Sequence, residues 1–169
     1  MQLMKTQLIK DILVSEPDGR LVTICGWVRT KRDSKNLCFI QVNDGSCFAT
    51  IQLTFDRENA NPNNENIENT LPNVTTGASI KATGKLIPSP ASGQAVEVAL
   101  ETLEVLGVSP SDYPLQKKGH TVEFLRENSH LRARTNMFGA VARMRSEMAF
   151  AVHSFFQEKG FFYFNAPLI

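Results

Sequence analysis

Apolar and polar residues alternate with a period of two along much of the chain after residue 20, the pattern of half-buried β-strands. These stretches are rich in valine, isoleucine, threonine and phenylalanine, and turn-forming residues separate them. The sequence NDGS at 43–46, between the second and third stretches, is typical of a hairpin turn. We therefore predict five strands, over residues 21–32, 37–42, 48–55, 78–87 and 94–107.

The last of these segments, 94–107, leaves two alternatives open. Its glutamate and leucine content is typical of a helix, whereas its valines and threonine favour a long strand, continuous or interrupted by a bulge. Two short helices are predicted elsewhere in this part of the chain. One covers 6–13, and the other covers about 65–71, within an asparagine-rich surface insertion (56–73) that has few apolar anchors.

The segment after the fifth strand is strongly polar and basic, which predicts a linker with one helical turn at 122–127. A long amphipathic helix follows, with Asn136 as its N-terminal cap and Gly160 in the left-handed position after its end. Residues 161–164 then predict the start of a strand. The apolar face of the helix comprises Phe138, Val141, Ala142, Met148, Ala149, Val152, Phe155 and Phe156.

Five strands and a short helix fit a small, mainly β, closed barrel, and the OB-fold is such a five-stranded barrel. Closure also removes most exposed strand edges, which suits a short domain. We predict an OB-fold domain over 1–108, a linker or hinge over 109–136, and the start of a second domain over 137–169.

Composition excludes several classes of protein. With 169 residues and a formal net charge of +1, the chain suits a globular protein without a general basic excess, so nucleic-acid binding requires a local patch. The N-terminus lacks a signal-peptide core, and no segment is long and apolar enough for a membrane, so a cytoplasmic location is expected. The three cysteines are interpreted as small buried apolar residues, and neither they nor the three histidines have metal-site spacing.

Candidate chemistry lies where an OB-fold binds oligonucleotides, on strands two and three. Arg29 and Arg32 end the first strand, Phe39 lies in the second, and Gln52 lies in the third. Cations attract phosphates, an aromatic ring stacks a base, and an amide hydrogen-bonds a base edge. Alternatively, Phe39 belongs to the core and the arginines are ordinary solvated charges.

Three segments resemble, in order, parts of the class IIb aminoacyl-tRNA synthetases, the aspartyl, asparaginyl and lysyl enzymes. GWVRTKRDSKNLCFIQVNDGS (26–46) is similar to their anticodon-binding barrel, and YPLQKKGHTVEFLRENSHLRART (113–135) to their hinge. KGFFYFNAPLI (159–169) resembles class II motif 1, the glycine, apolar and proline pattern after a long helix. KLIPSPASGQAVEV (85–98) and the C-terminal segment resemble the asparaginyl branch most, with the aspartyl branch second.

The resemblance implies roles for particular residues. Phe39 would stack on an anticodon base, Arg32 would contact the same loop, and Gln52 would read the central uridine of the anticodon. Arg29 and Glu97 are weaker candidates for the same tRNA site. In the family, the motif 1 helix and strand form a homodimer interface, which implies an interface role for Phe138, Val141, Met148, Val152, Phe155 and Pro167.

The resemblance also implies an activity, which is activation of asparagine with ATP and magnesium followed by transfer to tRNA. The resemblance stops at motif 1, so we expect the front part of a longer enzyme. The 169-residue chain is expected to bind tRNA, to hold no cofactor or metal, to contain no catalytic residue and to be catalytically inactive. Two alternatives stay open: a stand-alone OB-fold module for RNA or single-stranded DNA, and a protein-interaction domain with a buried Phe39.

Overall fold

The alternating segments of the chain form a barrel in the computed structural model, which describes residues 6–59, 61–91 and 93–167. The strands are β1 (Leu21–Asp33), β2 (Leu37–Asn43), β3 (Ile51–Asp56), β4 (Ser79–Pro88) and β5 (Val96–Gly107). They form a closed barrel in the order β1-β2-β3-β5-β4. Neighbouring strands are antiparallel except β3 and β5, which are parallel. The predicted OB-fold is confirmed.

The barrel core consists of the inward-facing residues of every strand. Because successive side chains of a strand point to opposite faces, each alternating stretch places one apolar set inside. Burial of one such side chain stabilises the fold by about 1.5–3 kcal/mol. One representative residue of each strand has at most 1% of its own surface exposed to solvent: Ile24, Ile40, Leu53, Ile80 and Val98.

Two irregularities interrupt the pairing of β4 with β5, one between Ser79 and Ile80 and a bulge opposite Thr83 and Gly84. Thr83 pairs with Thr102 and Gly84 pairs with Leu100, so Glu101 is the extra residue of β5. Gly84 lies so close to β5 that a Cβ atom there would be 2.1 Å from the carbonyl oxygen of Ala99. The strand alternative for this segment is therefore correct, in its bulged form.

In the described part of the chain, four α-helices accompany the strands: α1 (Ile9–Ile12), α2 (Asn64–Thr70), α3 (Val122–Glu127) and α4 (Asn136–Glu158). Short 3₁₀ turns occupy Leu71–Asn73 and Arg132–Arg134. α1 is shorter than the predicted helix over 6–13. The turn predicted at 122–127 forms as α3, where the Thr121 hydroxyl accepts the Phe124 N–H at 3.2 Å.

The asparagine-rich insertion between β3 and β4 is better anchored than its composition indicates. Ile67, Leu71 and Val74 are buried in the core, so three apolar residues hold the segment to the barrel. Asn61 and Asn63 donate side-chain hydrogen bonds of 3.1 Å to the carbonyl of Glu101 at the β5 bulge. The asparagines therefore supply hydrogen bonds to backbone groups of the bulge as well as covering the surface.

Further boundaries differ from the prediction at the start of β3 and at the start of α4, whereas the residue after α4 agrees with it. β3 begins at Ile51 rather than at residue 48, because the Asn43 amide donates to the carbonyls of Cys47 and Ala49 and holds 47–49 in a loop. The cap of α4 is Thr135 rather than Asn136, which is already helical. Gly160 has φ +82° after the helix, as expected.

The strand predicted to start at 161–164 is not formed in the described part of that segment, residues 161–167. A strand requires a hydrogen-bonded neighbour, and none is assigned to these residues. The chain divides into two compact units, one up to Gly119 and one from His120. The narrower domain boundaries predicted at 108/109 and 136/137 stay predictions.

Candidate nucleic-acid interface

β2 alternates strictly between the barrel core and its outer surface. Cys38, Ile40 and Val42 are buried, whereas Phe39 and Gln41 are half-buried on the outer side. The ring of Phe39 therefore lies outside the barrel. The interpretation of Phe39 as a core residue is wrong for this structure.

Arg32 lies beside that ring. It is the register partner of Phe39 across the β1–β2 pair, and its Cζ atom is 5.9 Å from the ring centroid. This distance allows a cation–π attraction, which favours a fixed orientation of both side chains. Arg32 is exposed, so its guanidinium can contact a phosphate next to a base on the ring. Arg29 lies at the irregularity of β1 between Val28 and Thr30, outside this pair.

Gln52 and Glu97 are buried and bonded to each other. Gln52 is 6% exposed and Glu97 is 4% exposed, and the Gln52 Nε2 donates to Glu97 Oε2 at 3.0 Å. The same carboxylate oxygen accepts hydrogen bonds from the Ser89 hydroxyl at 3.2 Å and from Gln94 Nε2 at 3.4 Å. Glu97 therefore fixes the orientation of the Gln52 amide.

Polar side chains form a row across the outer face of three neighbouring strands, which we call the amide row (Thr30, Gln41 and Gln52). Thr30 pairs with Gln41, and Gln41 pairs with Gln52. The Thr30 hydroxyl donates to Gln41 Oε1 at 3.2 Å. Sequence reasoning missed Thr30 and Gln41, although counting two residues on from Phe39 leads directly to Gln41.

Arg57 clamps the turn between β1 and β2. Its guanidinium donates to Asp33 Oδ1 at 2.9 Å, to the Ser34 carbonyl at 2.6 Å and to the Glu68 carboxylate of α2. The hydrogen bond to Glu68 raises the pKa of Arg57 above its usual value. The clamp joins the end of the hairpin that carries Arg32 to the insertion helix, and sequence reasoning did not identify it.

Asp44 ties the β2–β3 loop to α1. Its carboxylate accepts the Ile9 N–H at 2.8 Å, the Ser46 N–H at 2.9 Å and the Ser46 hydroxyl at 2.6 Å. Burial opposes ionisation of the carboxyl, but the hydrogen bonds from Ser46 and Ile9 outweigh it, so the pKa of Asp44 lies below 3.8.

We expect Asp44→Ala to lower the free energy of unfolding by about 1–2 kcal/mol at pH 7, because a charge-assisted acceptor is lost. A depressed carboxyl pKa stabilises the fold above the unfolded value of 3.8 and loses this effect as pH falls through the folded value. Urea titrations should therefore separate Asp44→Ala from wild type at pH 7 and bring them together near the acid limit. Asp112→Ala, at an exposed aspartate, is the control; equal stability of all three proteins at pH 7 would contradict the prediction.

The cysteine prediction holds for one residue only. Cys38 is buried, and burial raises the pKa of its thiol to about 11, which makes it unreactive. Cys25 and Cys47 are half-buried instead. Cys25 points outward from β1, and Cys47 lies in the loop and packs against the edge of the core.

The predicted interface residues of the second unit lie on α4 and after it. Val141, Met148, Val152 and Phe155 are each 46–57% exposed, and Phe138 is half-buried with the Arg132 guanidinium 5.0 Å from its ring centroid. Pro167 is exposed. Leu168 and Ile169, which end the motif 1 resemblance, lie outside the described residues.

Within residues 6–59, 61–91 and 93–167, no three histidine, cysteine, aspartate or glutamate side chains come together as a metal site would require. No helix among them combines the length and the apolar character needed to cross a membrane.

The chain is similar in sequence to known asparagine–tRNA ligases. Asparagine–tRNA ligase from Treponema denticola is 57% identical over 163 residues, which covers 96% of this chain and 34% of that protein. The same enzyme from Phocaeicola vulgatus is 51% identical over 161 residues, covering 95% of this chain and 33% of that protein. The chain thus spans about a third of the length of these relatives.

The same fold occurs in asparaginyl-tRNA synthetase from Pyrococcus horikoshii, with a TM-score of 0.81 at 20% identity. That match covers 98% of this chain and 38% of the other chain. The family model described as an OB-fold nucleic acid binding domain of the tRNA anticodon type matches residues 22–106. This match covers half of the chain and contains every residue of the outer face described above, so the chain belongs to the family of OB-fold, tRNA anticodon-type nucleic-acid-binding domains.

Proposed function

We propose that this chain is the anticodon-binding front part of an asparagine–tRNA ligase. The observation that carries the proposal is the outward ring of Phe39 with Arg32 beside it, on the barrel face next to the amide row. A ring flanked by a guanidinium and by amides binds an unpaired nucleotide through stacking, phosphate attraction and edge hydrogen bonds. The identity to asparagine–tRNA ligases supports the choice of tRNA as the ligand.

Binding of tRNA(Asn) to the 169-residue chain tests this proposal. Fluorescence anisotropy should show an affinity that falls steadily with salt, because phosphate contacts release counterions. In competition, tRNA(Asn) should displace the probe better than tRNAs that carry a different central anticodon base. Equal competition by all tRNAs would favour a stand-alone OB-fold module, and absence of binding would favour a protein-interaction domain. If tRNA(Asn) and tRNA(Asp) competed equally well, and both better than all other tRNAs, the experiment would not separate the asparaginyl enzyme from the aspartyl enzyme as the parent.

We assign the five tRNA contacts on the same basis. Phe39 is the stacking platform and Arg32 the phosphate or base contact, since both lie on the outer face. Gln52 reads a base edge through Oε1, because its amide nitrogen donates to Glu97. Glu97 acts through Gln52 as a positioning residue, and Arg29 contributes charge at the end of the β1 bulge.

The full-length enzyme is proposed to activate asparagine with ATP and Mg²⁺ and to transfer it to tRNA(Asn) in the cytoplasm. The chain spans about a third of the length of the asparagine–tRNA ligases that it matches, and its resemblance to the ligase catalytic domain reaches only motif 1. The catalytic residues and the ATP site are therefore assigned to the remainder of the enzyme. The boundaries proposed for its parts in this chain are 1–108, 109–136 and 137–169.

We propose that two copies associate through the apolar face of α4 and the segment after it, including Pro167. The half-exposed Val141, Met148, Val152 and Phe155 form a stripe that needs apolar cover. Sedimentation velocity across a concentration series should show association of the wild-type chain. Val152→Lys should shift the chain to monomer, whereas Glu147→Lys, at an exposed polar position of the same helix, should not. A wild-type chain that stays monomeric at the highest concentration would contradict this assignment.

A further inference from the structure

The amide row contains a side chain to which neither sequence nor family gave a role. We infer that Gln41 is a second specificity-determining residue, which acts with Gln52 to select a base that presents a carbonyl oxygen next to a ring N–H. The inference deepens the proposed function and rests on it, since the base in question is the one that Phe39 would stack.

The position of Gln41 places it at the edge of the stacking platform. It follows Phe39 by two residues on β2, so both side chains point to the outer face about 6.6–6.8 Å apart. It also lies directly opposite Gln52 in the β2–β3 register, where Cβ atoms are about 4.5–5.5 Å apart. A base lying on the ring therefore has both amides along one of its edges.

The hydrogen bonds of the two amides leave complementary groups. Gln52 donates through Nε2 to Glu97, and its Oε1 stays available as an acceptor. The Gln41 amide has the opposite orientation. Its Oε1 accepts a hydrogen bond from the Thr30 hydroxyl, so its Nε2 stays available as a donor. Among the described residues, neither Gln52 Oε1 nor Gln41 Nε2 has a protein partner in the hydrogen bonds of this face.

An adjacent donor and acceptor match only some base edges. Uracil presents a carbonyl oxygen next to the N3–H, and guanine presents a carbonyl oxygen next to the N1–H. Cytosine and adenine present an amino donor next to a ring acceptor, which is the reverse order. With Gln41 donating and Gln52 accepting, uracil and guanine satisfy both amides, whereas cytosine and adenine leave them unpaired.

Binding of four RNA hairpins to the 169-residue chain tests the inference. The hairpins share one anticodon stem and differ only in the central loop base, which is U, G, C or A. Gln41→Leu keeps the size of the side chain and removes the donor. We expect it to weaken binding of the preferred hairpin, U or G, by about tenfold and to leave C and A nearly unchanged, which reduces the discrimination.

A second variant separates orientation from contact. Thr30→Val removes the hydroxyl that fixes the Gln41 amide but leaves the donor in place. It should reduce the same discrimination by a smaller factor, about threefold. Thr102→Val makes the identical exchange at an exposed outward position of β5 and should leave all four affinities unchanged.

The outcomes distinguish failure of the role inferred for Gln41 from failure of the proposed anticodon-binding function. Wild-type discrimination that survives Gln41→Leu in a folded protein overturns the role of Gln41 while the anticodon-binding function stands. A wild-type chain that binds none of the hairpins, or that binds all four equally, overturns the proposed function as well. A preference for U over G, or for G over U, identifies which of the two bases the pair of amides accepts.

Discussion

Replacement of Phe39 by alanine is expected to weaken binding of tRNA(Asn) by about tenfold to a hundredfold, since base stacking on such a ring contributes about 1–3 kcal/mol. The barrel should stay folded, because the ring lies on the outer side of β2 and the core residues Cys38, Ile40 and Val42 are untouched. Anisotropy titration measures the affinity, and circular dichroism melting measures the fold.

The matched control is Phe150→Ala, which removes a 71% exposed ring on α4, a helix of the second unit. It should leave the affinity for tRNA(Asn) unchanged. Wild-type affinity in a folded Phe39→Ala protein would remove the stacking role. Loss of the cooperative melt in that variant would show that the ring contributes to the barrel itself.

The second large effect is expected at Gly84. A Cβ atom there would lie 2.1 Å from the carbonyl oxygen of Ala99 and 2.8 Å from its carbon, so the obstacle is backbone that cannot rotate away. Gly84→Ala must separate β4 from β5 next to the Glu101 bulge. We expect a loss of about 3 kcal/mol in the free energy of unfolding, a large fraction of the stability of a small domain.

Thermal melting followed by circular dichroism should show this as a decrease in Tm on the order of 10 °C. Gly119→Ala serves as the comparison, because a Cβ atom at Gly119 would meet open space. That exchange should be neutral or slightly stabilising. Equal melting temperatures for Gly84→Ala and Gly119→Ala would contradict the expectation.

The strands and the long helix could be predicted because their evidence is local. Alternation from Leu37 to Asn43 turns one face of β2 toward the core. It places Phe39 on the outer face regardless of which strands pair with β2. The spacing of apolar residues along α4 predicts a helix without knowledge of its neighbours. Five predicted strands, a short helix and the turns between them were sufficient to predict a small closed barrel.

The contacts of the site could not be predicted in the same way, because they join distant parts of the chain. Gln52 and Glu97 are 45 residues apart in sequence, and only closure of the barrel makes them neighbours. The pairing of Thr30 with Gln41 depends on the irregularity at Arg29, which shifts the β1 register. Likewise, the insertion resembled a surface loop because its few apolar residues carry no clear period, although three of them reach the core.

The parallel contact of β3 with β5 closes the cylinder and is its shortest pairing, with only Leu53–Val98 and Thr54–Ala99 in register. We expect this short pairing, the β3–β5 seam, to open by local fluctuation more readily than the longer pairings of the barrel. The hydrogen bond between Gln52 and Glu97 crosses this seam, so an opening there would also break the contact that orients the Gln52 amide. Under the proposed function, an RNA that contacts both strands binds only the closed barrel. Mass action then predicts that such an RNA stabilises the β3–β5 pairing, and that a variant with a tighter pairing binds the RNA more strongly.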